Sequence, residues 1–482
     1  MRPIWIIVLL SMPALSSCAL GPAVRVADTT LPAAYDAPAA PVSDDQRLAQ
    51  WWALYDDPQL QGLVEEALSR APDALSAQAR LAEALAVRSS ALDAYNPQGG
   101  LSASAARSQT GVVSGAGTVD FGGHAVNLIT TTPIDTYGAN FDVSWELDLF
   151  GRRRAARRKA NADLAAARFD YEASRTSLAA NVADSLFLAR GLAIQLDDAR
   201  ETARLQGQLS DVASAKYVHG LGARGDAEQA ASLVAQAKAQ VEDLQSQLHA
   251  ARRTLLVLVG RGVDPLDSLP TPPSAGTPPP VPASVPGALL AGRPDVREAA
   301  AQLISASGQL KLDELALFPT FTLQPGVGLS SNVELGAATT TDLWSIGVGL
   351  AQPILDLPRL KSQIRAQGAR ADQAAIAYQK TVQTAYAEAE NALVELASDE
   401  ARVRLLTLGE AQARSALHSA QLGYGAGLQD LTSVLTAEQT WRSARTALTA
   451  AQIQALRRSV QAFKALGGGW SPPPAPITQA RR

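Results

Sequence analysis

The sequence predicts an α+β membrane protein. A β-barrel is assembled from more than one copy of the chain, and long helices lead away from its strands. Three observations point there. An alternating segment followed by a very long helical run occurs twice; the alternating segments place apolar residues at every second position; and the chain holds too few such strands to close a barrel alone. Asn140–Asp148 (NFDVSWELD) leads into a helical run from near Gly151, which breaks at Tyr217–Gly222 (YVHGLG) and then resumes. Leu343–Leu350 (LWSIGVGL) leads into a second run near Arg359, which breaks at Gly423–Gly427 (GYGAG) and likewise resumes. Self-similarity at a long, fixed period is an architectural signal.

The N-terminus reads as an export leader over residues 1–17. Arg2 is a minimal basic region, Ile4–Leu10 a short apolar core, and Leu15-Ser16-Ser17-Cys18 a small-residue cleavage site ending in cysteine. It resembles a bacterial lipobox, which implies that Cys18 is acylated and becomes the mature terminus. Ala19 follows instead of aspartate, and by lipoprotein logic this implies delivery to the outer membrane. One acyl chain anchors only marginally, so the lipid is an auxiliary attachment. Cys18 is the one cysteine, so no disulfide can form within the chain. Both methionines, Met1 and Met12, lie in the leader, which removes thioether ligands for soft metals. His124, His219, His249 and His418 show no paired-ligand spacing. No metal or cofactor is expected, and a net charge of −4 gives no nucleic-acid footprint. After the leader there is no apolar stretch of ~20 residues, so a membrane-crossing structure would be a closed barrel.

Residues 18–50 form a Pro/Ala/Asp-rich tether, and 51–266 the first repeat. A helix is expected from Asp57, with Leu60, Leu63, Val64 and Ala67 on one face and a break at Pro72. Further on, Tyr137, Ala139, Phe141, Val143, Trp145 and Leu147 alternate with Asn140, Asp142, Ser144, Glu146 and Asp148. This is the apolar-out, polar-in pattern of a barrel strand with a wet lumen. Residues 267–287 are a proline-rich connector and 288–466 the second repeat. There Phe321, Leu323, Val327 and Leu329 alternate with Thr320, Thr322, Gln324 and Ser330, and Trp344, Ile346, Val348 and Leu350 with Ser345, Gly347, Gly349 and Ala351. Each half offers two strands joined by a loop. Four strands cannot close, since even small barrels need about eight. Arg152–Lys216 lacks proline and has only Gly191 and Gly207, so as a helix it extends roughly 100 Å; Arg359–Leu422 is similar. Residues 467–482 read as a flexible tail.

Several stretches together resemble the outer-membrane efflux lipoproteins related to TolC and OprM. They are Trp51-Trp52 with Asp57-Pro58-Gln59-Leu60, Ser144–Gly151 (SWELDLFG) followed by Arg152-Arg153, Leu289–Ala300 (LLAGRPDVREAA), Phe318-Pro319, and Gln352-Pro353-Ile354. Asp356-Leu357-Pro358-Arg359 and Ala71-Pro72 depart from the family pattern. The resemblance implies a homotrimer in which each protomer gives four strands to one outer-membrane barrel, continuous with a periplasmic helical barrel. It implies no enzyme activity but an exit channel of a tripartite efflux pump, whose partners are a periplasmic membrane-fusion adaptor and, indirectly, an inner-membrane RND-type pump.

By the same resemblance, Gly220, Leu221, Gly222 and Ala223, and Gly425, Ala426, Gly427 and Leu428, are the adaptor-contact tips. Tyr424, Asp430 and Arg442 are the periplasmic gate. The residues alone also allow plain turn glycines and a solvated helix-end charge at Asp430. The basic run Arg152–Lys159 (RRRAARRK) follows a strand and suits outer-membrane lipid headgroups. Arg293-Pro294-Asp295 reads as structural, with Asp295 capping a helix. Two other functions fit the residues: a duct for protein or peptide secretion, and a poreless periplasmic coiled-coil scaffold.

Overall fold

Period-two patterning and proline-free runs each produce their own kind of element. The computed structural model describes residues 25–36, 49–109, 118–122, 124–127, 133–281, 286–334, 336–426 and 428–468. They divide into two compact units, one from Met1–Val26, Leu85–Leu164 and Gln302–Ala375, the other from Ala27–Ala84, Ala165–Ala301 and Ile376–Arg482. Cys18 lies outside the described residues, as does Gly427.

The first unit carries a four-stranded antiparallel sheet. Its strands are β1 (Gln98–Ser108), β4 (Ile134–Leu147), β5 (Thr320–Glu334) and β6 (Ala337–Ala351), in spatial order β1-β4-β5-β6. The loop expected between the first-half strands holds a separate short hairpin of β2 (Thr118–Phe121) and β3 (His124–Asn127). Directly opposed residues share a face, and the register aligns the apolar positions of all four strands. Leu101, Phe141, Val327 and Trp344 form one cross-strand row; Leu147, Phe321 and Leu350 form another. Gly100, Asp142, Gly326 and Ser345 form a row on the opposite face. Bulky polar groups there sit opposite glycines: a Cβ on Gly328 would lie 2.2 Å from Asn140 Oδ1, and one on Gly349 2.5 Å from Thr322 Oγ1. Among the described residues β1 and β6 each have one unpaired edge, so the sheet is open. Below it, Phe150 stacks on Phe318 with ring centroids 5.1 Å apart, and Arg152 pairs with Glu146 at 3.1 Å.

The second unit is helical. A 3-10 turn at Trp51–Tyr55 precedes α1 (Pro58–Arg70) and α2 (Pro72–Asp93). The long helices are α3 (Arg152–Val218), α4 (Arg224–Leu258), α7 (Leu357–Gly425) and α8 (Leu431–Ala465), with α5 (Pro286–Gly292) and α6 (Pro294–Leu315) between; α2, α3, α6 and α7 each have part of their length in the first unit. Asp57 caps α1 by accepting from the Gln59 and Leu60 N–H groups at 3.0 and 3.1 Å, and α1 buries Leu60, Leu63, Val64 and Ala67 as its spacing requires. Trp51 is fully buried and stacks on Phe463 at 5.7 Å. One stretch of α3 is apolar enough by composition to cross a membrane, beyond what the sequence suggested. Two thirds of it is buried in this unit, so it is core.

Within 267–281 the proline-rich connector is packed, not loose. Leu269 and Val281 join the core with Trp51 and Phe463, and Thr271 Oγ1 accepts from Arg252 Nε at 2.6 Å. Asp295 stands second in α6 and does not cap it. It holds Arg293, whose guanidinium also pairs with Glu388 at 2.7 Å and donates to the Ala465 carbonyl at 2.8 Å. Arg293-Pro294-Asp295 thus ties α6, α7 and the end of α8 together.

Helices α3 and α8 approach closely at Gly191, where an added Cβ would lie 2.6 Å from Ile453 Cγ1. Gly191→Ala is expected to destabilise by about 1–3 kcal/mol through overpacking. Thermal melting of the detergent-purified protein checks this, and combination with Ile453→Ala removes the clash component.

Candidate functional site: the helix turns

Helix α3 ends in a Schellman turn. The Leu221 N–H donates to the Lys216 carbonyl at 2.8 Å and the Gly220 N–H to the Tyr217 carbonyl at 2.9 Å, with Gly220 left-handed at φ +73°. Glycine is needed there for its backbone. Gly222 serves differently: a Cβ there would approach Lys216 Cβ to 3.1 Å, so its role is close approach. Ala223 is the N-cap of α4 and provides no side-chain bond. Leu221 is 79% exposed.

The second turn shares the bond of longer span. The Leu428 N–H donates to the Gly423 carbonyl at 2.8 Å, the same six-to-one spacing, and the Ala426 N–H donates to Leu422 at 3.0 Å just past Gly425, the last residue of α7. Leu428 is 83% exposed. Asp430 caps α8, accepting from the Ser433 hydroxyl at 2.6 Å and its N–H at 2.9 Å. Those bonds, the hydroxyl's first, hold the carboxyl below its ordinary range. A groove of about 440 Å³ opens beside Asp430, lined by small and hydroxyl side chains including Ala416, Ser433, Thr436 and Thr440.

The two turns are joined by a residue that sequence reasoning missed. Lys216 Nζ donates to the Tyr424 hydroxyl at 2.5 Å and lies 4.6 Å from the ring centroid. The partners are 208 residues apart, and no local pattern marks Lys216. Arg442 lies elsewhere, twelve positions beyond Asp430, about 18 Å along α8. Its Nε is 3.8 Å from Glu438 Oε1. The structure therefore brings Tyr424 to the turns with Lys216, places Asp430 as a cap, and sets Arg442 back.

Comparison with known proteins identifies the family. The family profile described as Outer membrane efflux protein matches residues 63–261 and 285–468, covering both repeats. The pyoverdine export outer membrane protein OpmQ of Pseudomonas aeruginosa is 29% identical over 457 residues, 95% of each chain. The structure of the outer-membrane channel OprN superposes with a TM-score of 0.77 at 28% identity, covering 94% of this chain and all of that one. VceC of Vibrio cholerae superposes with a TM-score of 0.75 at 26% identity, over 88% of this chain and 99% of that one. The profile spans both repeats and these channels share the fold over nearly the whole chain: the chain belongs to the outer membrane efflux protein family as the outer-membrane component of an efflux system.

Proposed function

We propose that the chain is the passive exit duct of a tripartite pump: a homotrimer, lipid-anchored through Cys18, that conducts small molecules delivered by an inner-membrane RND-type pump through a periplasmic adaptor. The observation that carries this reading is the in-register sheet. Its apolar rows suit lipid, its polar rows suit water, and its unpaired edges at β1 and β6 need partners, because hydrocarbon leaves no bare backbone group tolerable. Further copies of the same sheet supply those partners symmetrically. No bond is made or broken in such a duct, and energy comes from the inner membrane.

The adaptor contacts fall at the exposed turns, Gly220–Ala223 and Gly425–Leu428. There a tight reversal, small side chains and the exposed Leu221 and Leu428 offer a surface a helical hairpin can approach. Tyr424 and Asp430 form the gate at the narrow end, with Arg442 behind them, and carboxylates there focus the field toward cations. Arg152–Lys159 lies against anionic headgroups.

The test is accumulation of a panel of antibiotics and dyes in a deletion strain. Wild type is expected to restore export, and Leu221→Asp/Leu428→Asp to leave accumulation at the deletion level with equal protein in the outer membrane. Full export by the double variant would remove the turns from adaptor docking. No effect of the deletion on any compound would favour secretion of proteins or peptides.

A further inference from the structure

About two turns into α8, a carboxyl group is sealed from water beside an amide of α3. Glu438 is 3% exposed and Gln206 1% exposed. Gln206 Nε2 donates to Glu438 Oε2 at 3.0 Å. The other oxygen of each group, Glu438 Oε1 and Gln206 Oε1, is buried without a hydrogen-bond partner among the described residues. Two buried oxygens left as bare acceptors are costly if the glutamate is an anion. Turning the amide over would set its oxygen against the carboxylate, which is worse.

We propose that Glu438 is held as the neutral acid, doubly hydrogen-bonded to Gln206, and that the pair is a proton-sensitive latch between α3 and α8. A proton on Oε1 turns that orphan into a donor for Gln206 Oε1, so one proton satisfies both atoms and closes an acid–amide ring. Its release to solvent leaves Oε1 anionic and Gln206 Oε1 bare.

The surrounding charges are placed accordingly. On α8, Arg442 Nε forms a long ion pair with Glu438 Oε1 at 3.8 Å, beyond hydrogen-bonding range, and is buried with no hydrogen-bond partner among the described residues. On α7, Glu410 is taken by Trp441 Nε1 at 2.8 Å and Arg414 Nη2 at 2.6 Å. On α3, Asp198 is taken by Arg445 Nε at 2.7 Å. Burial pushes the Glu438 carboxyl up, and the opposing pull of Arg442 and Gln206 does not cancel it. A raised folded value means that the latch is complete below the ordinary glutamate range and is lost as pH rises through the raised value. The turns sit at the same end of α3 and α8, so an alkaline shift loosens the region that the channel reading assigns to opening; that consequence, unlike the latch, rests on the channel reading.

The experiment uses the full-length protein in detergent. Difference infrared spectra of wild type against Glu438→Gln are expected to show a protonated-carboxyl stretch that persists above the ordinary glutamate range and that the variant lacks. The melting midpoint of wild type is expected to fall relative to the variant as pH rises from the ordinary glutamate value of about 4 through the raised folded value, since only wild type loses a proton there. Gln206→Met provides a second reading: loss of the acceptor shifts the same stretch to higher frequency. No removable band, or midpoints that stay parallel across the range, overturns the latch. Bilayer recordings separate the two claims: a band without any pore overturns the channel reading and supports the latch, whereas pores with no band do the reverse.

Discussion

Arg190→Ala is expected to destabilise the protein by about 3–5 kcal/mol and to remove most of the folded protein from the outer membrane. Arg190 is 7% exposed in the middle of α3. Its guanidinium grips both Asp57 oxygens, with Nη2 at 3.1 Å from Oδ1, and also reaches Gln59 Oε1 at 2.8 Å. Asp57 is at the same time the cap of α1. Alanine therefore leaves a half-buried carboxylate facing a void while the helix start still needs its charge. Burial by itself would raise the Asp57 carboxyl, but Arg190 and the Leu60 and Gln59 N–H groups outweigh it and hold it low. The contribution is thus complete above about pH 4, the ordinary aspartate value, and is lost as pH falls through the lowered value. Thermal melting at neutral and acidic pH checks both statements. The gap between wild type and variant should narrow in acid, and a gap independent of pH would remove Asp57 as its cause.

Trp344→Arg and Ser345→Arg are expected to differ sharply although the residues are adjacent. Trp344 lies near the middle of β6, 75% exposed, in the apolar row with Leu101, Phe141 and Val327. Arginine there faces hydrocarbon and costs about 2–4 kcal/mol at the bilayer midplane, in every copy of the chain. Ser345 stands in the polar row with Asp142, and arginine there meets water. Outer-membrane fractionation with heat-modified gel mobility reads the contrast: Trp344→Arg depletes assembled protein several-fold, and Ser345→Arg assembles but conducts differently. Equal assembly of the two would reverse the assigned faces.

That contrast also marks what could be read from the sequence. The alternation through Trp344–Leu350 and Tyr137–Leu147, the proline-free helical runs and the turns near residues 220 and 425 are local signals. Period two and period 3.6 depend only on near neighbours, so a single chain displays them. The four strands of the main sheet were legible for the same reason, and with them the need for further copies. The hairpin at 118–127 was not, because its segments are short and polar.

The residues that hold the helices together were beyond any local pattern. Arg190 finds Asp57 across 133 positions, Lys216 finds Tyr424 across 208, and Gln206 finds Glu438 across 232. Each of these looks in sequence like an ordinary solvated helix residue, and the proline-rich connector looks like a free linker although Leu269 and Val281 are core. Residue order by itself determined the element types, their repetition and the two faces of the sheet, since those follow from backbone geometry and spacing. Only the tertiary structure decided which polar groups lose their water and which partner each then meets, because burial and pairing depend on how distant helices pack.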